Sequence, residues 1–207
     1  TKERQRMASN TFSQDFFTFS KDIKLSHSFF SFPFVGANII IGGFQPTFIQ
    51  ILYILISLTC ARSFAMGMNR YLDREIDARN PRTAKRALPS KNISCRRSLL
   101  ISLGFGVLFI LSTLPFNRLT FFCSLPVLII LGCYPLIKRW STFCHLYLGI
   151  CLSLSPVAAS IALSGKLSIA SIFIGVSMFF WVSGFDIIYA TEDYTFDTKE
   201  GIFSITA

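Results

Sequence analysis

Residues 69–77 read NRYLDREID, directly behind a stretch, Leu25 to Ala61, that contains no Asp, Glu, Lys or Arg. A helix needs about 20 apolar residues to cross the hydrocarbon core of a bilayer. Gly42-Gly43 and Pro46 punctuate the charge-free stretch, so it reads as two crossings joined by a turn, the second ending in the acidic segment. Asn69, Asp73 and Asp77 recur at every fourth position, drifting by only about 40° per step on a helix, and so form one oxygen-bearing stripe. Such a stripe at a membrane-water boundary suits a hard cation such as Mg²⁺, which keeps several waters and shares its shell with substrate phosphates. The plainer alternative is a helix end whose charges pair with Arg70 and Arg74.

Outward from this segment the same pattern repeats. Ser98–Asn117, Leu119–Ile137, Trp140–Gly165 and Leu167–Phe185 are also free of charge, which gives six spans and predicts an all-α, polytopic membrane helical bundle. The short breaks at Asn117-Arg118 and Gly165-Lys166 predict antiparallel hairpins. The 207 residues are 52% hydrophobic and 15% charged, with a mean hydropathy of +0.53. That composition excludes soluble, secreted and disordered classes. The net charge of +9 leaves no solvated basic face for nucleic acid once the spans are removed.

Lys and Arg concentrate before the first span, between Arg70 and Arg97, at Lys138-Arg139 and at Lys199. These loops share one side, while the other side holds only Arg118 and Lys166. The positive-inside rule therefore predicts a multi-pass protein of a bacterial inner membrane with its N-terminus in the cytoplasm. Residues 1–24 read as a cytoplasmic tail, amphipathic through Phe12, Phe16, Phe17 and Phe19, and residues 25–207 as one transmembrane domain. Arg62, near the end of the second span, is expected to snorkel or to face a polar cavity.

Eight of the eleven carboxylates fall in two clusters, and none lies between Asp77 and Asp186. In the second, DIIYATEDYTFD, Asp186, Asp193 and Asp197 stand at i, i+7 and i+11, close to one helical stripe, with Tyr189 beside it. Both clusters open on the same predicted face. Two facing Asp stripes repel unless positive charge sits between them, which divalent ions supply. Arg82, Lys85 and Arg86 in NPRTAKRALPS, with Lys138 and Arg139 in YPLIKRW, can bind phosphate oxygens or serve as membrane anchors. Cys60, Cys95, Cys123, Cys133, Cys144 and Cys151 include no C-x-x-C pair and read as packing thiols. His27 and His145, at span starts, read as interface hydrogen-bonding residues.

NRYLDREID and DIIYATEDYTFD resemble the two aspartate-rich motifs of the UbiA-type intramembrane prenyltransferases. HSFFSFPF, NPRTAKRALPS, YPLIKRW and LYLGI extend the likeness from about Lys24 to the end. Within that family the chain is most similar to 4-hydroxybenzoate polyprenyltransferases, and the NPRT loop and FDTKEGIFS resemble a branch tied to menaquinone synthesis. The resemblance implies a nine-helix barrel, of which six spans are legible, so that 207 residues correspond to about two-thirds of it. It implies Mg²⁺-dependent transfer of a polyprenyl group from its diphosphate to an aromatic acceptor, in ubiquinone or menaquinone synthesis. Asn69, Asp73 and Asp77 would hold one Mg²⁺, and Asp193 and Asp197 the other. Asp186 and Tyr189 would support the second motif, and Arg82, Arg86, Lys138 and Arg139 would contact the diphosphate. Haem O synthases share the first motif's form. A phosphatidyltransferase acting on CDP-alcohols expects a D-G pair that is missing here, and a cation transporter expects acids near mid-membrane.

Overall fold

A computed structural model describes residues 11–25 and 30–206; His27 and the first ten residues lie outside them. Every regular element among the described residues is helical: α1 (Phe12–Asp22), α2 (Phe32–Ile41), α3 (Phe48–Arg79), α4 (Cys95–Thr113), α5 (Arg118–Ile137), α6 (Cys144–Ser164), α7 (Ile169–Ala190) and α8 (Tyr194–Glu200), with a 3₁₀ turn at Thr191–Asp193. Five of the helical segments, those containing α3 to α7, are long and apolar enough to cross a membrane.

The first predicted span takes a different form. Among the described residues there, the α-helix is limited to the ten residues of α2, with Pro33 in its first turn and Gly42 and Gly43 at its end, Gly43 at φ 67°. Ten residues rise about 15 Å, half a hydrocarbon core. The buried Asn38 ties this short helix inward by donating from Nδ2 to the carbonyl of Pro156, 3.0 Å away in α6.

α3 has the opposite character. Thr47 and Gln50 form a capping box at its start. Its 32 residues extend about 48 Å, well beyond the roughly 30 Å core, so its last third carries Asn69 to Asp77 past the apolar layer. α6 pairs closely with α7, as the short break at Gly165-Lys166 predicts, whereas α4 packs mainly on α3, across the longer connection, and less on α5. Asn117 caps α5 and also donates to the Ile161 carbonyl at 2.7 Å, joining the two hairpin turns. Large apolar side chains such as Phe122, Ile129, Phe173 and Phe180 point outward. In water they would be a liability; against lipid they are the expected surface.

α1 lies at the end of the bundle where α3 finishes. Phe19 and Ile23 are buried against Ala87, Leu88 and Ile93 of the α3–α4 connection and against Ile101 of α4. Gly67 permits this approach, since a Cβ there would collide with Ser102 and Phe19. Asp15, also buried, pairs with Arg97, and Asp22 accepts the Ala87 N–H at 3.0 Å. The connection bearing Arg82 and Arg86 is thereby held by the N-terminal helix.

Candidate functional site

The two acidic segments meet at this end of the bundle, where Asp73, Asp77 and Asp193 each lie against a base. On α3, Asp73 is buried and accepts from Asn69 Nδ2 at 3.2 Å, while Lys138 Nζ stands 2.6 Å from its Oδ2. Arg139 lies 3.8 Å from Asp73 Oδ1 and donates to the Leu72 carbonyl at 2.6 Å. One turn on, Arg86 Nη1 reaches both oxygens of Asp77, at 2.7 and 2.8 Å. Lys138 and Arg139 directly follow α5, whereas Arg86 comes from the α3–α4 connection, so three parts of the chain converge on one stripe.

Asp193 is gripped from the same connection. Asn80 Nδ2 donates to Oδ1 at 3.0 Å, Arg82 Nε to the same oxygen at 2.9 Å, and Arg82 Nη2 to Oδ2. The Arg82 guanidinium also lies 5.5 Å from the centre of the Tyr189 ring. Its hydrogen bonds with Asp193 push the Arg82 pKa above the ordinary guanidinium range, so it stays a cation. The single helix predicted over residues 186–197 is interrupted, because α7 tightens into the 3₁₀ turn at Thr191–Asp193 before α8 begins. Asp186 consequently turns toward His145 instead of joining Asp193 and Asp197 on one stripe.

Thus Asn69, Asp73, Asp77, Lys138, Arg139 and Arg86 form one group, and Asp193, Arg82, Tyr189 and Asn80 a second. Asn80 donates to Asp193 while accepting the Arg82 N–H at 2.9 Å. It went unnoticed in the sequence although the NPRT run begins with it. There is a pair of cavities, the larger of which is bordered by Arg82, Arg86 and Tyr189 of these groups. One, of about 330 Å³, is lined by apolar side chains of α3 to α6, Leu58, Val127, Leu131 and Leu152 among them. The other, of about 1120 Å³, is lined by Lys21, Lys24, Arg62, Arg70, Arg82 and Arg86. Arg62 and Met66 line both. Arg62 Nε is buried without a hydrogen bond, as is Asp73 Oδ1.

The donor set fits a hard cation. Asp73 presents a buried oxygen that no N–H or O–H satisfies, a costly state unless something else coordinates it. Among the described residues no three His, Cys, Asp or Glu side chains gather into a ready cage. Mg²⁺ does not require one, since it is held by one or two carboxylates together with waters and phosphate oxygens.

The model of the UbiA prenyltransferase family matches residues 30–207. The chain belongs to that family. It is an integral membrane protein. A 4-hydroxybenzoate octaprenyltransferase from Nitrosomonas eutropha is 32% identical over 160 residues, which is 77% of this chain and 56% of that protein. The chain thus spans about half the length of the curated relatives it matches. The solved apo structure of a UbiA homologue from Aeropyrum pernix K1 superposes with a TM-score of 0.80 at 29% identity, over 87% of this chain and 69% of the other. A UbiA homologue from Archaeoglobus fulgidus, solved bound to DMAPP and Mg²⁺, gives 0.72 at 22% identity over 90% and 67%, a likeness of fold.

Proposed function

We propose that the protein transfers a polyprenyl group from an allylic polyprenyl diphosphate to an aromatic acid such as 4-hydroxybenzoate, in a Mg²⁺-dependent step of ubiquinone or menaquinone synthesis. The observation that carries this reading is the junction at Arg62 and Met66, where an apolar cavity meets a cation-lined cavity that is bordered by Arg70 of the first motif and Tyr189 of the second. The names of the N. eutropha relative and of the DMAPP-bound homologue agree with it.

Each part of the substrates has a counterpart. The prenyl tail suits the apolar cavity, and its diphosphate suits the bases now paired with carboxylates: Arg82, Arg86, Lys138 and Arg139. Asn69, Asp73 and Asp77 would hold one Mg²⁺, and Asp193 and Asp197 a second. When bound, the ions supply charge neutralisation to the departing pyrophosphate. Arg82 and Arg86 add fixed positive charge where negative charge grows as the C–O bond breaks. That bond's electrons leave with pyrophosphate; the acceptor ring then forms a C–C bond with the allylic cation and loses a proton. The acceptor's carboxylate is assigned to Arg62, whose Nε lacks a partner. Apolar walls keep water from the cation. The motif-bearing end is assigned to the cytoplasm, from the loop charges.

The test is a membrane assay of the full-length protein with labelled polyprenyl diphosphate and 4-hydroxybenzoate. Product forms with Mg²⁺ and is abolished by EDTA, and Asp73→Ala and Asp193→Ala each lose at least about 100-fold, the loss expected when an electrostatic contact to the transition state goes. Undiminished product from both variants, or none from the wild type with any aromatic acceptor, rules the reading out.

A further inference from the structure

FDTKEGIFS, the segment after the second motif, forms a strap across the motif-bearing end. Glu200 pairs with Arg79 at 3.0 Å, at the last residue of α3. Gly201 takes the left-handed conformation at φ 66°, turning the chain, and the Ile202 N–H bonds back to the Asp197 carbonyl at 3.0 Å. The Phe203 N–H then donates to the carbonyl of Lys138 at 3.0 Å, and Phe203's own carbonyl accepts from Cys144 Sγ at 3.5 Å. Ser204, buried, closes the strap against His145, with 2.9 Å between its Oγ and Nε2.

His145, also buried, faces a different element with each ring nitrogen. Nδ1 lies 2.7 Å from Asp186 Oδ2, and a carboxylate can only accept, so Nδ1 carries the proton. The path is continuous: Asp186 on α7, His145 at the start of α6, Ser204 and Phe203 in the strap, the backbone of Lys138, and the Lys138 ammonium on Asp73. It links the second acidic motif to the first without passing through the α3–α4 connection. Among the described residues, Asp197 and Cys144 are further titratable groups close to the His145 ring.

We propose that His145 is a positioning residue: it fixes Asp186 and the Gly201–Thr206 strap together and, through the strap, sets where Lys138 meets Asp73. The inference rests on the prenyl-transfer reading for its kinetic half. A side chain filling space at this point would need no hydrogen-bonding atoms. A clamp needs a donor for Asp186 and a polar atom for Ser204 on one rigid body, which imidazole supplies.

The test compares His145→Leu, which removes both contacts, with His145→Gln, whose amide offers a donor and an acceptor, and with Ser204→Ala, all in the full-length protein in membranes. His145→Leu is expected to raise the KM for polyprenyl diphosphate and the Mg²⁺ concentration for half-maximal rate about tenfold while leaving the acceptor KM within twofold. Gln restores both constants to within about threefold, and Ser204→Ala falls between. Tryptic cleavage after Lys199 supplies a readout independent of turnover: Leu accelerates it and Gln does not. Wild-type diphosphate and Mg²⁺ constants in His145→Leu would overturn the clamp, as would an equal rise in both substrates' KM values. An inactive wild type would sink the prenyl-transfer reading instead, and unchanged tryptic cleavage in His145→Leu would then overturn the strap contact on its own.

Discussion

Arg82 shows why residue identity matters more than charge at this site. It meets both oxygens of Asp193 through Nε and Nη2 and lies over the face of Tyr189, a geometry that an ammonium on a flexible stem cannot reproduce. Arg82→Lys keeps the charge and loses the fork, so the KM for diphosphate rises about tenfold in steady-state assays; wild-type kinetics would mean that charge alone suffices. Arg62 makes a different demand. On the proposed reading its unpartnered Nε, at the junction of the cavities, would bind the acceptor's carboxylate and so select acceptors by charge. A hydrogen bond to a charged group is worth about 1.5–3 kcal/mol, or roughly 10- to 150-fold. Arg62→Leu is therefore expected to raise the KM for 4-hydroxybenzoate by that factor and leave the neutral 4-hydroxybenzamide unaffected, as competition between the two acceptors would report. Equal losses for both would remove the carboxylate from this position.

Among the elements, α3 was the most legible in sequence and α1 the least. The charge-free run and the four-residue spacing of Asn69, Asp73 and Asp77 both report local geometry, and local geometry is what periodicity encodes. The docking of α1 depends on Phe19 and Ile23 meeting Leu88 and Ile93, contacts between residues far apart in the chain that no spacing rule records. The same holds for the Asp193–Arg82 and Asp186–His145 pairs, where the residue types were visible and the partners were not. α2 was overestimated because the absence of charge was read as helix across Pro33. Gly67 tests the packing of α1 directly. Gly67→Ala drives a methyl group into Ser102 and Phe19, and overpacking of this kind costs about 1–3 kcal/mol. A lower melting temperature in detergent is expected, together with faster proteolysis of residues 11–25; an unperturbed variant would show that α1 does not depend on this contact.

For the whole molecule the question is how a short first helix still delivers the chain to the right side. α1 packs beside the end of α3, yet α3 begins about 48 Å away, at the opposite end of the bundle. The chain must therefore traverse the bundle between Ile23 and Phe48, with α2 covering about 15 Å of that distance. The crossing puts α1, the α3–α4 connection, Lys138-Arg139 and α8 at one end, where nearly all of the described Lys and Arg residues lie, and leaves Arg118 and Lys166 at the other. By the positive-inside rule such an asymmetry predicts that the motif end faces the cytoplasm. Two single-cysteine variants in a background lacking native cysteines report it. Ser168→Cys, in the α6–α7 turn, should react with a membrane-impermeant maleimide on intact cells, while Ser141→Cys, between α5 and α6, should react only after permeabilisation. The reverse pattern would place the acidic motifs outside the cytoplasm and separate the site from a cytoplasmic supply of diphosphate.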